Sequence, residues 1–209
     1  MTPTAFQAWA GVSRETLGAF EAYATLLARW NARINLVAPR SLEAVWTRHF
    51  QDSVQVWQAA PVLAPGARWV DLGSGAGFPG LVVALMARDA GHDLAVQLIE
   101  SDARKAAFLR EAARAVGVTV EVVVARIEAA PPAHGAVVSA RALAPLPKLL
   151  GYVERHGTAA GVALLLKGQD YRSELTAAAA DWHMEAEARP SVTDPAAALL
   201  VIRQLERRR

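Results

Sequence analysis

The 209-residue sequence contains no cysteine. That removes disulfides, thiolate metal sites and cysteine nucleophiles together, and it fits a reducing compartment. There is little net charge: 22 Lys and Arg against 20 Asp and Glu leave +2. Overall charge therefore gives no argument for a nucleic-acid partner, and any basic surface must be local. Long apolar runs are missing too. Stretches such as LVVALMA (81–87) fall far short of the ~20 residues that a membrane span requires. The opening MTPTAFQAWAGVSRE has no basic segment leading into an apolar one, so no leader peptide is expected. His134, His156 and His183 are scattered without ligand spacing, so no metal site is expected. These absences predict a cytoplasmic protein with no membrane or metal partner. What is present is apolar material, 53% of residues, enough for a sizeable core.

The hydrophobic pattern changes character along the chain. Residues 13–34 have apolar positions at helical spacing behind Ser13, a plausible N-cap. Ser41 can cap a second helix, SLEAVWTRHF, and Pro61, Pro65 and Gly66 then punctuate the chain. Residues 1–60 thus read as a helical appendage, and 61–209 as the main domain of one compact unit. From RWVDL (68–72) onward, strands alternate with helices. LAVQLIE (94–100), VTVEVVVA (118–125), AVVSAR (136–141) and GVALLLKG (161–168) are the later strands. This order predicts a Rossmann-like α/β sheet, parallel and doubly wound, with helices on both faces. WHMEAEA and ALLVIRQLE are separated only by a loop, which predicts an antiparallel pair at the sheet edge near the C-terminus.

VDLGSGAGFPG (70–80) joins the first strand to a helix and can be framed in two ways. Gly75-x-Gly77-x-x-Gly80 matches a dinucleotide fingerprint and would imply an NAD(P)-dependent oxidoreductase. Asp71-x-Gly73-x-Gly75-x-Gly77 matches the loop that holds S-adenosylmethionine. The second frame begins where the strand ends, with Asp71 placed to reach the methionine ammonium directly or through water. Glu100 ends the second strand, where an acid grips ribose hydroxyls in either cofactor class.

In order and spacing, NLVAPR (35–40), RHFQDS (48–53), VDLGSGAGFPG, LIESDARKAAFL (98–109), ARIEAA (125–130), SARALAPLPKLL (139–150) and LLLKG (164–168) resemble the bacterial small-subunit rRNA guanine-N7 methyltransferases, the RsmG or GidB family. The resemblance implies a class I methyltransferase fold with a small helical N-terminal part. It implies S-adenosylmethionine as donor, S-adenosylhomocysteine as product, and N7 of guanine 527 in 16S rRNA, in the small subunit or an assembly intermediate, as acceptor. Gly73 and Phe78 would contact the cofactor, together with Asp71 and Gly75. Glu100 and Ser101 would hold the ribose, Ile127 and Glu128 would flank the adenine, and Arg141 would line the cofactor and substrate cleft. A class I methyltransferase acting on another RNA, a protein or a small molecule shares all of this except RHFQDS, FPG and the helical N-terminus.

Guanine N7 is a lone-pair acceptor with no proton to remove. Its methylation needs alignment and not a general base, so no catalytic dyad is expected and Arg141 is the one cleft candidate. Arg40, Arg48, Lys148, Lys167 and Arg172 are candidate phosphate contacts. Arg141 and Lys167 are assigned to phosphate or cofactor, because a cation against a base that is gaining positive charge would oppose the reaction. Phe78 and Phe50 are candidate stacking partners for the base. His49 is expected to pair with Asp52, and RRR (207–209) to be a solvated tail. A monomer is expected.

Overall fold

The computed structural model describes residues 1–208. Seven strands form one sheet in the order β3-β2-β1-β4-β5-β7-β6. They are β1 (Ala67–Leu72), β2 (Leu94–Glu100), β3 (Glu121–Val124), β4 (Gly135–Arg141), β5 (Gly157–Lys167), β6 (Trp182–Pro190) and β7 (Ala198–Arg207). β1 to β5 are parallel; β7 runs antiparallel to both β5 and β6. The expected edge hairpin is therefore present, with its reversed strand β7 inserted one place in from the edge.

Alternation along the strands gives each face its own core. Trp69, Leu98, Val137, Leu164 and Val201 belong to one apolar cluster, covered by α5 (Gly80–Asp89), α6 (Ala103–Ala115) and the N-terminal helices. Val70, Ile99, Val138, Leu165 and Leu200 belong to the other, covered by α7 (Leu146–His156). Residues 1–60 pack into the first cluster through Phe6, Phe20, Tyr23 and Phe50, all fully buried, so the helical segment and the sheet share one interior.

The helical segment departs from expectation in two places. Pro3–Ala10 forms α1, capped by Thr2, ahead of α2 (Arg14–Asn31). The second helix does not start at Ser41. Pro39 opens a single turn, α3 (Pro39–Leu42), and a π-helical stretch, Trp46–Gln51, then runs directly into α4 (Asp52–Gln58). β3 is shorter than VTVEVVVA, because the Val118 amide donates to Ala113 O and ties the start of that run to the end of α6. The C-terminal arginines are not a free tail: Arg207 lies over the Trp182 ring at 4.6 Å and 3.6 Å from Glu154, and Arg208 N donates to Asp181 O. Arg209 lies outside the described residues.

Candidate functional site: two clefts that share a wall

The strand order reverses between β1 and β4, and the chain leaves both strands at the same carboxyl edge. Open α/β sheets take their ligands at such a switch point. A cleft of about 320 Å³ lies there, lined by Gly73, Gly75, Glu100, Ser101, Ile127 and Glu128 among others.

Its floor is built from backbone. The amides of Gly73 and Ser74 both donate to Ile99 O, at 2.9 and 3.1 Å, which ties the loop after β1 to β2. Gly75 has φ +53, and a Cβ there would meet nothing nearer than Gly73 O at 3.8 Å, so it would enter open cleft. The Glu100 carboxylate accepts from Gly75 N and from Asp102 N, each at 2.8 Å. It therefore braces the loop, while each oxygen retains capacity for a second donor.

The opposite rim is held by α7. Tyr152 OH donates to Glu128, and His156 Nε2 donates to Ile127 O at 2.9 Å. Arg155 donates to Ala130 O at 2.8 Å. The Tyr152 hydrogen bond holds the Glu128 carboxyl below the usual carboxylate range. Lys148 is exposed and sits 5.7 Å from the Tyr152 ring centre, on this cleft.

Asp71, Phe78 and Arg141, all placed at this cleft from the sequence, do not line it. Asp71 is 1% exposed and does not line the cleft. It accepts from Ser139 Oγ at 2.7 Å, and Ser139 accepts from Trp69 Nε1 at 2.9 Å. Burial raises its pKa to about 6. It shares the Trp69 face of β1 and sits under Gly80, at the positive end of α5, so it supports the loop from below and cannot touch a ligand above. Phe78 is 4% exposed. Its ring stacks on His49 at 4.8 Å and on Tyr23 at 5.4 Å, with the Arg141 guanidinium 4.9 Å away. Phe78 and the fully buried Phe50 belong to the helical core and cannot stack a base. Tyr23 OH donates to Ala76 O and so clamps the glycine loop from the helical side.

A second cleft, about 460 Å³, adjoins the first across Ala142. It lies between the π-helical stretch, the ends of β4 and β5, and the loop before β7. Asp52 is its hub: Oδ1 accepts from Gln55 at 2.8 Å and Thr193 Oγ1 at 2.9 Å, and Oδ2 is 3.5 Å from Arg141. Arg141 also donates to Arg48 O at 2.9 Å, and it lines this cleft but not the first. Burial lowers the Arg141 pKa.

His49 does not pair with Asp52. The wider π turn takes positions three apart out of line, and His49 Nε2 instead lies 3.0 Å from Ser41 Oγ. Burial, then the charges of Arg141 and Arg48, lower its pKa to about 3, so the ring is neutral. Lys167 is 2.6 Å from Glu174 and donates to Ala144 O at 2.9 Å. Arg40, Arg48 and Arg172 are exposed, Arg172 over the Tyr171 ring. Tyr152, Ser139 and Thr193 were not singled out from the sequence, and His156 was considered there only as a metal ligand. Tyr152 and His156 carry a usable signal, being polar and four apart on the apolar face of α7.

The donor set fits a nucleoside carrying an amino-acid tail: a glycine cradle beside backbone amides, an acid at the end of β2, and apolar Ile99, Ile127 and Leu143.

Residues 16–200 match the family described as GidB, rRNA small subunit methyltransferase G. The chain is 46% identical over 196 residues to the ribosomal RNA small subunit methyltransferase G of Ruegeria sp. (strain TM1040), covering 94% of each. It is 48% identical over 210 residues to that of Paramagnetospirillum magneticum, covering 100% of this chain and 98% of the relative. Among solved structures it resembles a TehB-like S-adenosylmethionine-dependent methyltransferase from Corynebacterium glutamicum, with TM-score 0.57 and 17% identity over 78% of this chain and 92% of that one. A geranyl diphosphate methyltransferase bound to GPP and sinefungin gives TM-score 0.55 and 14% identity over 72% and 76%. These two share the fold.

Proposed function

The chain belongs to the rRNA small subunit methyltransferase G family, and from that premise we propose that it methylates N7 of one guanine, guanine 527, in 16S rRNA. It is an rRNA methyltransferase of the class I fold, and S-adenosylmethionine is its methyl donor. The observation that carries the finer reading is the pair of clefts meeting at Ala142, one suited to a nucleoside cofactor and the other open beside it.

S-adenosylmethionine supplies an electrophilic methyl group on a sulfonium. In our reading Gly73 and Gly75 cradle its amino-acid part. Glu100 and Ser101 hold the ribose, Ile127 and Glu128 flank the adenine, and the second cleft receives the splayed-out guanine. N7 needs no base, so the protein's task is alignment and exclusion of water. Asp52 helps here by pairing with Arg141, which limits the positive charge facing a base that is itself becoming cationic. Arg40, Arg48 and Arg172 are the exposed candidates for rRNA phosphates, with Lys148 at the rim of the cofactor cleft. No helix of the described residues is long and apolar enough to cross a membrane. The proposal includes a cytoplasmic monomer with residues 1–60 as helical appendage and 61–209 as methyltransferase domain.

The test is to incubate the protein and S-adenosylmethionine with small subunits lacking the modification, then map N7-methylguanine in 16S rRNA. A single new N7-methylguanine at position 527 is expected. Methylation of another base, or NADH binding without S-adenosylmethionine binding, would overturn the reading.

A further inference from the structure

The wall between the two clefts is the segment Ala142–Pro145, between β4 and α7. Ala142 has φ +50, a left-handed conformation that a residue with a side chain adopts rarely and keeps only when its surroundings enforce it. On one side the wall meets the glycine loop: a Cβ on Gly73 would lie 2.6 Å from Leu143 Cδ1. On the other side it is held by a pair of charges from different elements. Lys167, at the end of β5, donates to Ala144 O at 2.9 Å. Glu174, on α8 (Tyr171–Ala178), is 2.6 Å from Lys167 and accepts from Leu146 N.

That last contact answers a deficit in α7. The helix begins at Leu146 behind Pro145, which gives no side-chain cap, and Pro147 in its first turn has no N–H. Glu174 is the cap, delivered from another helix to the positive end of α7. Side chains of both partners are largely covered, 10% exposed for Lys167 and 23% for Glu174. A lysine with a carboxylate at 2.6 Å and a carbonyl at 2.9 Å is poorly placed to meet a phosphate.

We propose that Lys167 and Glu174 are positioning residues: together they fix the Ala142–Pro145 wall, and so the alignment of methyl donor and acceptor nitrogen, and Lys167 makes no rRNA phosphate contact. The inference rests on the reading that the two clefts take donor and acceptor. It follows because near-attack geometry tolerates little displacement, and among the described residues the segment that lines both sites sets that geometry. It also replaces the phosphate assignment made for Lys167 from sequence.

Steady-state methylation of small subunits, together with rRNA binding across a salt series, tests the proposal with Lys167→Met and Glu174→Ala. Each variant is expected to lower kcat at least tenfold, with rRNA Kd and KM within about twofold of wild type. The double variant should be no slower than the worse single one, because the pair acts as a unit. Lys167→Arg should recover part of the loss. The slope of log K against log salt should be unchanged in Lys167→Met. A phosphate contact gives the opposite pattern. Lys167→Met would then weaken rRNA binding and reduce that slope by roughly 0.7–0.9, and Glu174→Ala, by freeing the lysine, would tighten binding. That pattern, or an unchanged kcat in both variants, overturns the proposal. Glu174→Ala leaves Lys167 in place, so the test survives if Lys167→Met does not fold. A wild-type protein that methylates rRNA while both variants keep its kcat overturns the alignment role alone. A wild-type protein that leaves rRNA unmethylated overturns this proposal and the functional reading together.

Discussion

The two clefts that meet at Ala142 are held by different kinds of bond. The floor of the first is set by backbone amides and a carbonyl at the ends of adjacent strands, with Glu100 bracing the loop that follows the neighbouring strand. The second is set by side chains from distant parts of the chain. Asp52 reaches Thr193, Arg141 reaches Arg48 O, and Gln55 reaches Ser191. A site built from backbone keeps its shape under most substitutions, because every residue supplies the same amide. A site built from side chains can be retuned one residue at a time. The difference suits a constant cofactor in one cleft and a particular nucleotide in the other.

The strongest way to break that contrast is to put a side chain where only backbone is tolerated. Gly75→Val adds branched bulk at φ +53 and fills the open cleft. Cofactor Kd, measured calorimetrically with S-adenosylhomocysteine, should rise by about 100-fold or more, roughly 3 kcal/mol. An affinity within threefold of wild type would show that the loop does not form the floor.

Asp71 lies buried under the first cleft and His49 is buried in the wall of the second, and the two have opposite pH behaviour. Asp71 has its pKa raised from 3.8 to about 6, so the folded state holds its proton longer than the unfolded state. Its contribution to stability falls as pH rises from about 4 to 6. His49 has its pKa lowered from 6.5 to about 3, so the unfolded state takes up the proton first. Its contribution is complete above pH 6.5 and is lost as pH falls. Urea unfolding at pH 4 and 6.5 should show this. Wild type should lose about 2 kcal/mol relative to Asp71→Asn over that rise in pH, and gain about 3 kcal/mol relative to His49→Gln. Slopes of the same sign would refute the assignment.

Asp52→Ala comes next. It strips an acceptor from Thr193 and Gln55 and a carboxylate from Arg141, and should lower stability by about 2 kcal/mol. The KM for small subunits should rise several-fold while cofactor Kd stays within twofold. Equal effects on both would mean that the clefts are not built independently. The smallest effect belongs to Arg126→Ala on the rim of the first cleft. Its side chain is 72% exposed and its Nε is 3.8 Å from Glu128, too loose a pair to matter. The melting temperature should stay within experimental scatter.

The same contrast explains which parts could be foreseen from the sequence. The core strands and the glycine loop are encoded by neighbours, so RWVDL and LAVQLIE fall within or on β1 and β2, and GVALLLKG overlaps β5 in all but its last residue. The second cleft depends on pairings more than 90 residues apart, such as Arg141 with Arg48 O and Asp52 with Thr193, and no local pattern announces those. The direction of Asp71 was recoverable: two residues from Trp69 on a strand, it had to share the face of that large apolar ring. Phe78 was not, because its partners Tyr23 and His49 come from helices whose docking is decided by the fold. The π-helical turn at Trp46–Gln51 likewise defeats helical spacing, which is why His49 and Asp52 part company.

The partition between the clefts is one alanine thick where Ala142 lines both. For ligand design, that thinness means a purine and an adenosine-like group could be joined by a very short bridge and occupy both sides at once. Escape from such a compound at position 142 would be narrow. At φ +50 the backbone accepts glycine, asparagine or aspartate with least strain, and a bulky or branched residue that could push the bridge away would strain the chain that holds it.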